Sequence, residues 1–312
     1  MKIFHKATIL KNYKGSALAI GNFDGVHKGH QKVFKYAKKF AKRKKIKFGI
    51  LTFNPLPVMF FNKKIINYKL ISEDQKYKLF KNYGVDFVIN IKFNKVFSQI
   101  SAEKFITNII YKKISPKLIF VSNNFKFGNK RRGDINLLKK FSKKYNFRIL
   151  KIRPFNYQGK IISSTRIRKF LQNGYLDLAN TLLSRTWSID GYVKKGKKIG
   201  RKLGYRTCNI QIKDYVLPKL GIYAVKILIG NKKNIHGGVA YLGSRPTFGG
   251  DKIFLETNIF GIRKNLYKKR LKVYFVKFIR RDKKFKNSTK LINQMNKDVI
   301  LAKKGLKEKL ML

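Results

Sequence analysis

Between residues 16 and 152, short apolar runs alternate with stretches whose apolar positions recur every three or four residues. The runs SALAIGNF (16–23), IKFGILTF (46–53), DFVINI (86–91), KLIFVS (117–122) and FRILKI (147–152) read as strands. Between them the helical period predicts helices over about 29–43, 72–84, 101–113 and 134–144. Ser72 suits the N-cap of the second, and Gly84 lies just past its end. Five apolar strands separated by helices predict an α/β domain with a doubly wound parallel sheet. Such sheets bind ligands at the carboxyl ends of their strands.

Near residue 185 the period changes. WSIDGYV, TCNIQI, GIYAVKILI, GGVAYLG, KIFLETNIF and RLKVYFVKFI are short strand-like runs with glycine-rich connections. A final helix is expected over about 288–309. Many short strands with turn signals predict a small antiparallel barrel. The boundary is placed at 184–188, giving domains 1–185 and 186–312.

Composition changes this picture little. Cys208 is the single cysteine in 312 residues, so no intrachain disulfide forms, which fits a reducing cytoplasm. No run of 18 apolar residues predicts a membrane helix, and the interrupted N-terminal stretch does not read as a signal peptide. The formal net charge of +60 suggests a polyanionic partner. The lysines are scattered along every segment, however, and Lys, Asn, Ile, Phe and Tyr share A/T-rich codons. Mutational bias explains that composition, so neither a specific nucleic acid nor a membrane is expected as partner. Loose, salt-sensitive association with polyanions follows from the charge alone. Any self-association is expected to be weak.

The first candidate chemistry is GNFDGVHKGH (21–30), which holds two of the four histidines directly after an apolar run. A metal pair would need further His, Cys or carboxylate ligands, and His5 and His236 lie in no ligand-like cluster. A purely structural turn is a second reading. The third is phosphate handling between a strand and a helix. Gly21 and Gly25 allow a tight turn, Gly29 allows close approach to the helix start, and its N–H groups favour anions. His27 and His30 can then donate to phosphate oxygens and stabilise a leaving pyrophosphate. That reading predicts nucleotidyl transfer from ATP. A second stretch, ISSTRIRKFLQNG (162–174), offers Ser163 or Ser164 as helix cap, the hydroxyl of Thr165, and Arg166 and Arg168 for charge-assisted bonds to phosphate.

These two motifs, in this order, resemble those of the prokaryotic bifunctional riboflavin kinase/FAD synthetase family. HKGH is similar to the HxGH motif of adenylyltransferases, and ISSTRIR to the family's ISSTxIR. The resemblance implies ATP phosphate binding by His27 and His30, with Asn22, Phe23 and Asp24 in the nucleotide-contact segment. NNFKFG (123–128) resembles the flavin-side segment, implicating Asn124, Phe125 and Phe127, although core packing explains the aromatics equally well. In the second half, GYVKKGKKIGRKLGYRTCNI (191–210) resembles the riboflavin kinase signature. It lacks the GK[ST] of a Walker A loop. The resemblance implies that Gly196, Gly200 and Gly204 form a nucleotide loop and that Thr207 and Asn209 hold Mg²⁺ and ATP phosphates. GGVAYLGSRPTFGG (237–250) matches the next block, and Glu256 in FLETNIF takes the place of the general base acting on the riboflavin 5′-hydroxyl. FIRRDKKF (278–285) resembles the segment near the flavin, with Arg281 or Arg280 and Phe285.

The implied fold is a Rossmann-like nucleotidyltransferase domain followed by an antiparallel β-barrel riboflavin kinase domain with a C-terminal helix. The implied function is phosphorylation of riboflavin to FMN, then adenylylation of FMN to FAD, with ATP as co-substrate and Mg²⁺ as cofactor. Several positions depart from the family pattern. Leu56 stands where His is usual, Ser122 replaces Gly, Arg206 replaces Pro, Cys208 replaces Ala, Asn258 replaces His, and Phe260-Gly261 stands for Asp-Phe. The alternatives are the same scaffold with kinase activity alone, an adenylyltransferase for another acceptor such as nicotinate mononucleotide, and a basic nucleic-acid-binding protein.

Overall fold

A computed structural model describes residues 1–195, 204–230, 234–245 and 252–308. The chain forms two compact units, one of residues 1–66 and 73–163, the other of 67–72 and 164–312. The α/β and barrel architectures expected from the sequence are both present. The first unit holds β1 (Lys2–Phe4), β2 (Ala17–Ile20), α1 (Lys28–Arg43), β3 (Phe48–Asn54), α2 (Pro57–Phe61), α3 (Glu73–Asn82), β4 (Phe87–Lys92), α4 (Lys95–Ser98) and α5 (Ala102–Lys104). α5 continues as a π-helical stretch, Phe105–Ile114. Then come β5 (Leu118–Ser122), α6 (Ile135–Lys144), β6 (Arg148–Ile152) and the hairpin β7 (Asn156–Tyr157) and β8 (Lys160–Ile161).

The sheet order is β1-β4-β3-β2-β5-β6, all parallel. The chain builds outward from β2 in one direction and from β5 in the other. The switch point therefore lies between β2 and β5, where doubly wound sheets place their ligands. All four residues of β2 are buried, as expected of a strand covered on both faces. Leu18 and Ile20 pack with Phe105, Ile106 and Ile119 in one layer. Elsewhere in this unit Phe34 gathers Phe23, Phe80 and Phe48 at ring separations of 4.9, 5.5 and 6.2 Å.

The second unit begins with the strap 67–72, followed by α7 (Ser164–Asn173), α8 (Leu176–Leu183), β9 (Ser188–Lys194), β10 (Thr207–Ile210), β11 (Gly221–Ile229), β12 (Ile235–Arg245), β13 (Lys252–Ile259), β14 (Arg270–Arg280) and α9 (Ser288–Glu308). The six strands close into an antiparallel barrel, β10-β13-β12-β11-β14-β9. Trp187, fully buried, lies against Phe275 at 5.0 Å, and Phe275 lies against Tyr223 at 5.0 Å. Ala302 and Leu306 of α9 cover Ala224 and Val276. No helix among the described residues is long and apolar enough to cross a membrane.

The strap is tied into this unit through its main chain. The N–H groups of Tyr68 and Lys69 donate to the Asp214 carbonyl, and Val216 N–H donates to Lys69 O at 2.8 Å. Trp187 Nε1 donates to Leu70 O at 2.7 Å. Arg168, read from the sequence as a phosphate ligand, is buried; its Nε donates to Tyr68 O at 2.7 Å and its guanidinium lies 3.6 Å from the Tyr68 ring centre. The two units part at Ser163/Ser164, upstream of the change of period at 184–188, because α7 and α8 gather with the strap and barrel.

Arg168→Ala removes a buried hydrogen bond and a desolvated cation–π contact, together about 1–3 kcal/mol. Urea unfolding of the second unit is expected to shift to a lower midpoint, with little recovery in Arg168→Lys, which lacks the planar fork. An unchanged midpoint would show that the strap does not depend on this residue.

Candidate active sites

The turn 21–27 leaves β2 at the switch point and enters α1. Its backbone is forced: Phe23, Gly25 and Val26 have φ of 48°, 82° and 43°. Left-handed Phe and Val cost about 1–3 kcal/mol each, so surrounding structure must hold them. Four observations supply that hold. Phe23 is buried in the Phe34 cluster. Gln31 Nε2 donates to Val26 O at 2.9 Å. Thr52 Oγ1 donates to Asn22 O at 3.2 Å. Lys76 Nζ, on a buried side chain, donates to Asn22 O at 3.0 Å and to Thr52 Oγ1 at 3.1 Å.

The held turn delivers His27 to the N-cap of α1 with extended geometry, φ −74° and ψ 171°. His30, one turn on, stacks on it at 3.6 Å with 22° between the rings. The edge of Phe23 meets His30 at 5.2 Å. A Cβ at position 29 would lie 3.2 Å from the His27 ring, so a side chain there would press on the imidazole. Two imidazoles and the first N–H groups of α1 thus converge at one helix end, an anion-binding arrangement. Among the described residues no group of three His, Cys, Asp or Glu could hold a metal ion.

The other predicted residues of this unit are placed unevenly. Gly21 and buried Asp24 belong to the turn, and the Asn22 side chain is exposed. Phe23 serves as a packed support. Phe127 is buried in the core beside Phe105, and Phe125 stacks on it at 5.2 Å, so packing accounts for both rings. Asn124 is exposed, after β5 on the other side of the switch point. Leu56 is buried at the start of α2 and offers no side-chain cap. Ser163 closes the first unit, and Ser164, Thr165, Arg166 and Arg168 open α7 in the second. Arg166 lies over the Phe170 ring at 5.4 Å.

The second unit contains two cavities that share Thr207. One, about 390 Å³, is lined by Glu256, Asn258, Tyr241, Arg280, Asp282 and Phe285, with Leu291, Met295 and Val299 of α9 as an apolar wall. The other, about 330 Å³, is lined by Arg206, Arg263, Lys264, Cys208 and Tyr267, with no acidic residue among the described lining. Strand register explains the grouping. Asn209 on β10 is paired with Glu256 on β13, which is paired with Tyr241 on β12. Thr207, Asn258 and Val239 form the next row. Residues opposite each other across antiparallel strands share a face, so one row supplies a carboxylate and the next a hydroxyl. Asn209 itself is not among the residues lining either cavity.

Arg280, and not Arg281, lines the larger cavity. Its guanidinium donates to Asp298 at 2.9 and 2.7 Å and lies 5.9 Å from the Phe285 ring centre. Arg281 is exposed, in the groove beside Tyr175 and Lys219. Tyr241 donates to Asp282 at 2.6 Å. Burial, and then the Asp298 charge, raise the Tyr205 pKa, so the phenol stays a donor, to Asn296. Burial pushes the Cys208 thiol up to about 11, which keeps it neutral at physiological pH and removes it as a nucleophile. Gly204 takes a left-handed φ of 82°. Gly196 and Gly200 lie outside the described residues, as does most of SRPTFGG.

Sequence reasoning missed Lys76, Gln31 and Arg280's fixed partner Asp298. A lysine in a helix that reads as amphipathic carries no sign that it is buried. Lys76→Met removes a donor shared by Asn22 and Thr52, and amide exchange across 21–30 is expected to quicken. Hydrogen-exchange mass spectrometry that finds those amides equally protected would show that the turn holds without the lysine.

Comparison with known proteins agrees with this division. Residues 9–166 match the FAD synthetase family and residues 183–306 the riboflavin kinase family. Bifunctional riboflavin kinase/FMN adenylyltransferases are similar along nearly the whole length. The protein of Buchnera aphidicola subsp. Schizaphis graminum is 41% identical over 93% of both chains. That of Haemophilus influenzae is 36% identical, over 93% of this chain and 94% of its own. That of Escherichia coli K12 is 32% identical, over 93% and 92%. A crystal structure described as a macrolide-efflux protein from Streptococcus pneumoniae superposes with a TM-score of 0.84 at 25% identity, covering 96% of this chain and 98% of that one. On the strength of both domain matches and of this full-length similarity, the chain belongs to the bifunctional riboflavin kinase/FMN adenylyltransferase family.

Proposed function

We propose that the second unit phosphorylates riboflavin and the first adenylylates the FMN so formed, with ATP as donor in both reactions. The observation that carries the kinase assignment is the pair of cavities meeting at Thr207. One has a carboxylate and an apolar wall, as a flat ring system bearing a hydroxyl needs. The other is lined by cations, as a polyphosphate needs. Glu256 takes the proton of the riboflavin 5′-hydroxyl as that oxygen attacks the γ-phosphorus of ATP; FMN forms and ADP leaves. Arg280, held by Asp298, and Phe285 border the ring system, in place of the Arg281 expected from the sequence.

The donors near Thr207 fit Mg²⁺ carried with ATP. They are the hydroxyl of Thr207, which lines both cavities, and the carboxamide oxygen of Asn209, two residues on along β10 though outside both linings, hard donors that would hold the ion. Bound there, Mg²⁺ would supply charge neutralisation on the transferring phosphoryl group. Gly196, Gly200 and Gly204 are assigned to the nucleotide loop by resemblance.

In the first unit an FMN phosphate oxygen attacks the α-phosphorus of ATP, giving FAD and pyrophosphate. His27 and His30, with the N–H groups opening α1, stabilise charge on the departing pyrophosphate. Gly21, Asn22, Asp24 and Gly29 shape that site, while Phe23 supports it from beneath. Ser163, Ser164, Thr165 and Arg166 are assigned to the nucleotide by resemblance. Arg168 keeps that assignment only in part, because its Nε is committed to Tyr68 O. Asn124 is assigned to the flavin side, with Phe125 and Phe127 as its packed support.

The functional boundary is proposed at 185/186, just inside the start of the riboflavin kinase match at residue 183. The protein is proposed to act in the cytoplasm, without a specific nucleic acid or membrane partner and with weak self-association at most. A kinase-only version of the scaffold is the second reading, favoured by Leu56, which gives no hydrogen bond where the family places an imidazole.

Incubation with riboflavin, ATP and Mg²⁺, followed by separation of FMN from FAD, tests both readings; FMN without FAD supports the second. His27→Ala/His30→Ala is expected to abolish FAD formation and spare FMN formation. Equal loss of both in a folded variant would refute the separation. Glu256→Gln keeps the shape but accepts no proton, so FMN production is expected to fall by roughly 10²–10⁴. Conversion of supplied FMN to FAD should persist. FMN production near wild type would mean that Glu256 is not the base.

A further inference from the structure

Two departures from the family pattern, Arg206 and Asn258, meet in the structure. Asn258 Nδ2 donates to the main-chain carbonyl of Arg206 at 2.9 Å. Arg206 Nη1 donates in turn to the carbonyl of Arg263. Arg206 is the residue before β10, whose first residue, Thr207, is paired in register with Asn258. The peptide that leads into Thr207 is therefore held twice, at its carbonyl by a side chain from β13 and at its side chain by the segment after β13.

The physical need for such restraints follows from the residue itself. A proline at 206 would fix φ near −65° within its own ring. An arginine leaves φ free, and ordering one such residue costs about 1–2 kcal/mol. A side-chain amide bonded to the main-chain carbonyl offsets part of that, about 0.5–1.5 kcal/mol. Asn258 is suited to the task because its carboxamide carries N–H donors. It also lines the same cavity as Thr207 and Glu256, so its restraint acts where the two cavities meet.

We infer that Asn258 is a positioning residue for riboflavin phosphorylation: it holds the 206–207 peptide so that Thr207 is placed for the ATP phosphates, replacing by a hydrogen bond the restraint that a proline would supply covalently. This rests on the assignment of Thr207 to ATP. The role is distinct from that of Glu256, which meets the acceptor hydroxyl. Loss of Asn258 acts on the use of ATP and leaves the proton transfer alone.

The test is steady-state FMN formation by the full chain, with Mg·ATP varied at saturating riboflavin. Asn258→Ala and the nearly isosteric Asn258→Asp, whose carboxylate donates no hydrogen bond, are expected to raise KM for Mg·ATP about 3- to 10-fold, with kcat changed less than twofold. Conversion of supplied FMN to FAD is the control for intact protein. An unchanged KM in both Asn258 variants overturns the inference. So does a kcat that falls as far as KM rises, since the residue would then act by some other route. Thr207→Ala separates the underlying assignment: normal use of ATP by that variant sinks the Thr207 assignment and the inference with it. Impaired Thr207→Ala beside unaffected Asn258 variants sinks the inference alone.

Discussion

Self-repulsion is the constraint under which this fold exists. With 74 Lys and Arg against 14 Asp and Glu, like charges meet across most of the surface, and every carboxylate has disproportionate value. The structure spends them at posts where one negative charge fixes something larger. Asp86 accepts from the N–H of Phe48 at 2.8 Å, joining the start of β3 to the segment before β4. Asp134 caps α6 through the N–H groups of Asn136 and Leu137, and these together with Lys126 hold its carboxyl below the usual range. Asp190 pairs with Arg270 across β9 and β14, and Asp298 anchors Arg280 beneath α9. Glu256, like Asp298, lines the larger cavity, where it joins Thr207.

The kinase unit illustrates how a barrel makes two sites from one sheet. β10, β13 and β12 run side by side, and residues two apart on each face the same way. The row Asn209, Glu256, Tyr241 and the row Thr207, Asn258, Val239 are therefore neighbours without any special loop. Cys208 and Thr257 are the cross-strand pair between those rows: Thr257 is fully buried, and Cys208 borders the smaller cavity with its thiol kept neutral by burial. The strand residues lining the larger cavity thus follow the parity of strand positions.

That parity, and the period of the helices, made most of the architecture legible in the sequence. Strand β11 occupies the run GIYAVKILI, and the remaining barrel strands and α9 fall within a few residues of their expected places. What was not legible has common physical causes. β1 has three residues, too few for an alternating pattern to show, and pairs with a strand far along the chain. The π-helical geometry after α5 leaves the apolar spacing nearly helical. Of the residues picked out by motifs, His27 and His30 stack at the start of α1, and Thr207 and Glu256 line one cavity. Lys76 and Asp298 were invisible, because a burial that only tertiary packing creates leaves no local trace. Arg280 and Arg281 are adjacent in the sequence, and only the direction of β14 decides which reaches the cavity.

The strap 67–72 gives the second unit a noncontiguous core. Leu70 and Trp187 are 117 positions apart, and Lys69 and Asp214 are 145 apart. During synthesis from the N-terminus, the strap leaves the ribosome long before the residues that receive its hydrogen bonds exist. It must stay available while the intervening parallel sheet forms, and the barrel's outer layer is completed only after nearly the whole chain has emerged. The same geometry bears on inheritance. A recombination event carrying only the downstream segment into another gene would leave Trp187 and Arg168 without their carbonyl acceptors. The barrel side of this chain therefore depends on a short segment encoded within the stretch that builds the parallel sheet.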